Sequence, residues 1–375
     1  MENKVRKAKF VLNTMVANES HCIQRMIESV APHIDYWVIQ DNGSTDGTQQ
    51  MIREFFASKG IPGVLYETEW TGIPGKNRDH ALQKCLQTDH GCDWILRVDA
   101  DEAIEVDDGF DWSLFDDKSV QSFNMLAKQF SCNYYRTWIW NASLPWRFKH
   151  DKRHECIYLE SCGEQFQRQP LDERYHHRVF GDGKTWTNPY KFMIDALELE
   201  RDLLVKDELH TDRYHLVYTA KSYRDYCMHP SSKFPLGPDY RIEAARRGIY
   251  LFNKVVDLHM QNKPQHMDEN GYMMHVFLGE LHMAAGDVAS AEAAFIEAES
   301  YCPVRSEHLL KLACIYRDRG DRSRFFEATT KMMAGKNPFP RFTLFIDSCC
   351  YPDTGDQVSE LHRLACSLNN VDFAA

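Results

Sequence analysis

This chain is short of positive charge and has no long apolar run. Lysine and arginine number 44 against 55 aspartates and glutamates, a formal net charge of −11. Broad attachment to a phosphate backbone needs a basic surface, so a general nucleic-acid binder is excluded, although a local basic groove is not. No segment reaches the ~18 consecutive apolar residues of a membrane span. Met1 to Lys9 is charged and leads into only a brief apolar stretch, which is not a signal peptide, and a cytosolic protein is expected. The twelve cysteines include no Cys-x-x-Cys and no paired zinc spacing. Cys349 and Cys350 adjoin, while Cys85, Cys92, Cys156 and Cys162 are scattered, so reduced, mostly buried thiols are expected rather than a disulfide framework.

What remains is an ordinary globular composition, 43% hydrophobic and 26% charged over 375 residues, enough chain for two domains. Phe10 to Val16 reads as a first strand, followed by a helix in which Ile23, Met26, Ile27 and Val30 keep helical spacing. Tyr36 to Ile39 is a second strand. It runs into Asp41-Asn-Gly-Ser-Thr-Asp-Gly-Thr48, where Gly43 and Gly47 permit unusual backbone angles and Ser44, Thr45 and Asp46 can cap the helix from about Thr48 to Ala57. A short strand at Val64–Tyr66, a Gly/Pro-rich loop from Gly72 to Lys76 and a helix carrying Arg78 and Leu82 come next. Strand–helix alternation of this kind implies a parallel sheet with right-handed crossovers.

The unit ends on Trp94-Ile-Leu-Arg-Val-Asp-Ala-Asp-Glu102, an apolar strand that stops at three carboxylates. In open α/β sheets ligands bind beyond the carboxyl ends of strands. Residues two apart in extended chain share a side, so Asp99 and Asp101 can converge. Two close carboxylates repel unless a cation lies between them, and a hard ion such as Mg²⁺ or Mn²⁺ carrying phosphate oxygens meets that need. Glu19 and Asp41 end the first two strands on the same sheet edge. There a carboxylate can accept from a base N–H or a ribose hydroxyl, and Arg78 and Lys76 can offset phosphate charge. Singly, each of these residues is also explained as a cap, a turn former or a solvated face; together, in this order, they point to a nucleotide site.

Thr14-Met-Val-Ala-Asn-Glu19, Asp41 to Thr48, Arg78-Asp-His-Ala-Leu82 and Trp94 to Glu102 resemble the successive motifs of family 2 glycosyltransferases. In particular the chain is similar to bacterial and phage members with a helical repeat domain behind the catalytic one, among them the S-glycosyltransferases of glycopeptide bacteriocins. The resemblance covers the first hundred residues firmly and the rest in patches. It implies an α/β GT-A fold (Rossmann-like), a nucleotide-sugar donor, usually a UDP-sugar, a divalent metal and inversion at the anomeric carbon. It also implies that Glu19 and Asp41 bind base and ribose, that Asp99 touches ribose or metal, that Asp101 is the principal metal ligand and that Arg78 faces the diphosphate. Asp79, where the family more often has Asn, and Gln40, where it has a hydrophobic residue, are departures.

Between Phe110 and Tyr190 the periodicity is harder to read. Tyr134-Tyr-Arg-Thr-Trp-Ile-Trp140 and Leu144-Pro-Trp-Arg-Phe148 are dense in aromatics; a β-hairpin packed on the sheet is expected before a sugar-stacking wall. Trp146 to Glu155 resembles the Arg/Trp strand and His-Glu pair of similar enzymes, which assigns His154 to the metal or phosphate and Glu155 to the acceptor proton. Asp182, in Phe180-Gly-Asp-Gly183, is a second candidate base and Glu164 a third. His150 and His154 are four apart, but no helical pattern makes them a zinc pair, and His176-His177 is left without a role.

After Pro189 apolar residues recur at helical period almost to the end. Phe277 to Asp287 and Lys311 to Asp321 repeat 34 residues apart, with Gly286 and Gly320 at turns and Pro303 and Pro338 closing the units. That period is tetratricopeptide-like, and an earlier hairpin pairs Tyr214–Tyr226 with Tyr240–His259. The expected organisation is a GT-A catalytic domain over 1–190 and an α-helical domain over 191–375, the latter able to hold an acceptor, to self-associate, or only to buttress. Rival readings are a non-catalytic adaptor with a lapsed N-terminal domain and a sugar nucleotidyltransferase. The latter typically has a Gly-rich basic loop where this chain has Val16-Ala-Asn-Glu-Ser20. The acceptor stays open among peptide, glycan and modified nucleobase.

Overall fold

A computed structural model describes residues 7–149, 156–206, 213–229, 232–234, 237–260, 267–338, 346–347, 350–351 and 357–371. The chain divides into two compact units, one of residues 1–130 and 134–187, the other of 131–133 and 188–375.

The first unit is built on a mixed sheet. In chain order its elements are β1 (Phe10–Val16), α1 (Ile23–Val30), β2 (Tyr36–Asp41), α2 (Thr48–Lys59), β3 (Gly63–Glu67), α3 (Pro74–Gln87), β4 (Trp94–Arg97), β5 (Glu102–Val106), β6 (Ser122–Gln129), β7 (Cys132–Asn141), β8 (Trp146–Phe148), β9 (Ile157–Leu159), β10 (Arg168–Pro170) and β11 (Tyr175–Val179). The spatial order β3-β2-β1-β4-β7-β6-β11-β5 begins with the four parallel strands that alternation implies. Register aligns Val16, Asp41 and Glu67 across three strands, so the carboxyl ends finish level and the loops beyond them share one rim.

Two apolar layers hold the sheet. On one face α1 and α2 cover Phe10, Leu12, Ile39, Trp94 and Leu96, and on the other α3 covers Val11, Val38 and Ile95. Alternation along β1 and β4 therefore feeds both layers. Each fully buried side chain of this size contributes about 1.5–3 kcal/mol. Asn13, which interrupts the apolar run of β1, is buried because its amide donates to the carbonyls of Val38 and Ala81 at 3.2 and 3.1 Å.

The aromatic segments form strands, but not a hairpin with each other. β7 runs antiparallel to β4, and β8 pairs with β9 in a separate two-stranded sheet. Trp140 and Trp146 are buried beside α3. They serve as core, not as a sugar-facing wall.

The second unit is α-helical. Its helices are α4 (Lys191–Val205), α5 (Arg213–Met228), α6 (Pro238–Met260), α7 (Glu269–Ala284), α8 (Val288–Tyr301), α9 (Glu307–Arg319), α10 (Arg322–Ala334) and α11 (Gln357–Leu368). Each helix packs against the next in the chain. Both 34-residue repeats turn at a glycine in the left-handed region, Gly286 (φ 80) and Gly320 (φ 72), and restart at an aspartate cap. Asp287 accepts from Ser290 N–H at 3.0 Å and Asp321 from Arg324 N–H at 3.1 Å. No described helix is long and apolar enough to cross a membrane.

Candidate active site

The loops after β1 and β2 are laced together. Asn18, at φ 59, accepts from the Thr45 N–H at 2.8 Å, and its own N–H donates to Ser44 Oγ at 2.8 Å. The Glu19 N–H donates to Thr48 Oγ1 (2.9 Å) and the Ser20 N–H to Asp46 Oδ2 (3.0 Å). Burial pushes the Asp46 carboxyl up, but these bonds and those from Thr48 overcome it and hold it low.

Asp41 closes β2 with no exposed surface. Its Oδ1 accepts from the Gly43 and Ser44 N–H groups (3.0 and 2.8 Å) and from Gln49 (2.8 Å). Its Oδ2 is buried and has no partner among the described residues. A buried acceptor without a donor costs free energy, and a base N–H or ribose hydroxyl would satisfy it. Beside it Gln40 donates to Asn42 Oδ1 (2.8 Å) and pairs with His80 (2.6 Å), so the polar residue at this departure from the family pattern is fully used. Asp79, the other departure, accepts from Arg147 (2.8 and 3.2 Å) and from the Phe148 N–H (2.7 Å). It anchors β8.

Beyond β4 the acids and guanidiniums gather. Arg78 on α3 donates to Asp99 Oδ1 at 2.9 Å and Arg97 to Oδ2 at 3.2 Å. Burial would raise the Asp99 carboxyl, but Arg78, Arg97 and Arg136 overcome it and keep the group ionised. Arg136, stacked over Trp138 at 4.3 Å, donates to Glu102 at 2.6 Å. His177 Nδ1 lies 3.3 Å from the same carboxylate, and burial lowers the pKa of that imidazole.

Asp101 is different. Burial pushes its carboxyl up, the charges of Asp99, Glu102 and Glu19 push it further, and it reaches about 7. Its Oδ2 is buried with no partner among the described residues. Of the two aspartates in the Asp-x-Asp, Asp99 is neutralised by arginines and Asp101 is left for something else. An orphaned carboxylate oxygen ringed by acids fits a hard divalent cation.

A strap from Phe180 to Thr187 lies over this cluster. The Phe180 N–H donates to the Asp101 carbonyl at 3.1 Å, and the Lys184 N–H donates to Glu19 Oε2 at 3.1 Å. Gly183 packs so closely that a Cβ there would stand 3.1–3.2 Å from the Asp101 carboxylate. Burial raises the Glu19 carboxyl, partly offset by the Lys184 N–H and the Cys22 thiol. Glu19, His21 and Cys22 bring ligand atoms within 4.8 Å of one another, although His21 Nε2 is taken by the Asp182 carbonyl at 2.8 Å.

The structure thus gathers Glu19, Asp99 and Asp101 electrostatically, with Arg78 against Asp99 and Asp41 on the adjoining rim. His154 and Glu155 lie outside the described residues, as does His150. Asp182 reaches the strap, but Arg25 grips it through both oxygens at 2.6 and 3.0 Å. That hydrogen-bonded pairing holds its carboxyl below the usual range. Glu164 pairs with Lys149. A cavity of about 650 Å³ lies between α1 and β5, lined by His21, Arg25, Glu28 and Glu105 among others; it does not include Asp99, Asp101 or Asp41. Sequence spacing gave no sign of the strap's bonds, since Phe180 lies about eighty positions downstream of Asp101 and Lys184 lies 165 downstream of Glu19.

Residues 14–108 match the family described as "Glycosyl transferase family 2", a stretch that runs from the end of β1 through β5 and includes Glu19, Asp41, Arg78, Asp99 and Asp101. The first unit therefore contains a glycosyl transferase family 2 domain. The chain is similar, at 32% identity over 88 residues, to "Lipopolysaccharide core biosynthesis glycosyltransferase LpsC" of Rhizobium meliloti; the alignment spans 24% of this chain and 30% of that relative. Two solved chains titled as crystal structures of MamA align at TM-scores of 0.28 and 0.26 with 16% and 15% identity. Each covers 48% of this chain, and they are matched over 90% and 88% of their own length.

Proposed function

We propose that the chain is a metal-dependent, inverting glycosyltransferase that moves a sugar from a nucleoside diphosphate donor, a UDP-sugar first, to an acceptor bound by the same protein. The observation that carries the reading is Asp101: a buried, partnerless carboxylate oxygen among three further acids, at the carboxyl ends of parallel strands, inside a family 2 domain. Asp41, with its own orphaned oxygen, takes the base or ribose. Mn²⁺ or Mg²⁺ would be held by Asp101, with Asp99 beside it and His154 as a further ligand, and when bound would supply positive charge to the departing diphosphate. Arg78 orients Asp99 and keeps it ionised. Gly183 keeps the space over Asp101 free of a side chain.

For the acceptor's proton, Glu155 is proposed over Asp182, because the latter already carries Arg25. The acceptor would attack the anomeric carbon in line from the face opposite the diphosphate. The resemblance to a lipopolysaccharide core enzyme supports a glycan acceptor, with a peptide side chain as the other class. One screen tests the whole reading: hydrolysis of a panel of nucleotide sugars with and without Mn²⁺, then mass spectrometry of the glycosylated product, on wild type, Glu155→Gln and Asp182→Asn. The expected result is Mn²⁺-dependent release of one nucleoside diphosphate, with Glu155→Gln losing transfer at least about 10²-fold and Asp182→Asn close to wild type. Release of pyrophosphate instead, or no donor consumed under any condition, overturns it.

A further inference from the structure

The loop joining β3 to α3 is tied down along its length. The Thr68 N–H donates to the Asp41 carbonyl at 2.9 Å, and the Thr68 hydroxyl to Asn42 Oδ1 at 3.1 Å. The buried amide of Asn77 donates to Thr71 Oγ1 and to the Ile73 carbonyl, both at 2.8 Å, and accepts from the Thr71 N–H at 3.3 Å. Gln40 ties the Asn77 carbonyl back to Asn42. This loop nevertheless holds Trp70 and Ile73 48% and 43% exposed.

One exposed apolar side chain needs no explanation. Two on a pinned loop, three residues apart, are different when the loop springs from the rim where Asp41 Oδ2 lies buried without a donor. An indole left exposed on a pinned loop is open to a flat partner. A ring with only two side-chain torsions loses little entropy on stacking, and every nucleobase offers a π-face.

We infer that Trp70, backed by Ile73, is the stacking platform for the donor's nucleobase, while Asp41 takes the hydrogen bond from the base or ribose. This rests on the glycosyl-transfer reading and adds a residue that lies outside the motifs. The platform supplies affinity to bases in general, and Asp41 with its neighbours supplies the choice among them.

The test is titration of UDP and GDP, each with Mn²⁺, and of the free nucleosides uridine and guanosine, into the full chain by calorimetry and tryptophan fluorescence. For whichever diphosphate binds, Trp70→Ala is expected to weaken binding about tenfold, and Trp70→Phe, which keeps a ring, less than about threefold. The matching nucleoside should show the same ratios, since the contact is to the base and not the phosphates. Part of the ligand-induced fluorescence change should vanish in Trp70→Phe. Unchanged affinity in Trp70→Ala alongside weakened binding in Asp41→Asn overturns the platform and leaves the transfer reading standing. An effect of Trp70→Ala confined to the acceptor's KM also overturns it and assigns the indole to the acceptor. If wild type binds no nucleoside diphosphate, with ADP, CDP and dTDP tried beside UDP and GDP, platform and transfer reading fall together.

Discussion

Both units of this chain bury charge, and they treat it in opposite ways. In the helical unit Arg305 has no exposed surface, yet it reaches Glu307 at 2.7 Å and Glu269 at 3.3 Å. Tyr272 and Tyr351 donate to Glu307 at 3.0 and 3.1 Å. Arg224 and Lys311 close on Glu280 from two other helices, at 2.5 and 2.7 Å. Burial pushes Glu280 and Glu307 up, but the facing cations overcome it and hold both below their ordinary range. In the sheet unit the acids Glu19, Asp99, Asp101 and Glu102 outnumber the guanidiniums of Arg78, Arg97 and Arg136, and the deficit falls on Asp101. Matched buried charge sets structure; unmatched buried charge marks where a ligand belongs.

The sharpest way to test that contrast is to remove one group from each side. Asp101→Asn is expected to lower turnover about 10³-fold while raising the urea midpoint in metal-free buffer at pH 8, because it relieves like-charge repulsion. The sign follows from linkage. A carboxyl whose proton affinity rises on folding contributes stability that is fully present below its ordinary value of 3.8 and is lost as pH rises through about 7. Added Mn²⁺ should therefore raise the melting temperature more at pH 8 than at pH 6 in wild type, and equally little at both in Asp101→Asn. A variant less stable than wild type at pH 8 would mean that Asp101 is structurally satisfied after all.

Arg305→Met should do the reverse. It strands Glu307 and Glu269 in the interior and is expected to cost about 3–5 kcal/mol, read as a lower urea midpoint. A loss under about 1 kcal/mol would show that the arginine is not needed to compensate those acids.

The smallest effect is expected at Gly183→Ala. The new methyl would press on the Asp101 carboxylate at 3.1–3.2 Å, so Mn²⁺-supported turnover should drop several-fold with less than about 1 kcal/mol change in stability. Unaltered Mn²⁺ dependence would remove the strap from the site.

Much of the first unit was legible because its strands are short apolar runs that end abruptly in acids, and a run of that kind locates an element without knowledge of its partners. Partners are another matter. Tyr134–Trp140 and Leu144–Phe148 read as strands but not as neighbours, since β7 finds β4 some forty residues upstream and β8 finds β9. The clustering of Asp99 and Asp101 was visible in their spacing, whereas their division of labour was not. That division depends on Arg78 and Arg97 turning to one carboxylate and leaving the other. Asp182 looked like a free acid only because Arg25, on a helix about 150 residues earlier, is invisible to local pattern. In the helical unit the 34-residue period was plain, but the buried ion networks that join α5, α7 and α9 leave no trace in a hydrophobic pattern.

The lacing of Asn18 to Ser44 and Thr45, of Ser20 to Asp46, and of Glu19 to Thr48 has a practical consequence for anyone wishing to retune such a protein. The two segments behave as a single casting. Transplanting either from a homologue would import half of each bond and leave the other half facing strangers, so residues 17–20 and 42–48 must travel together.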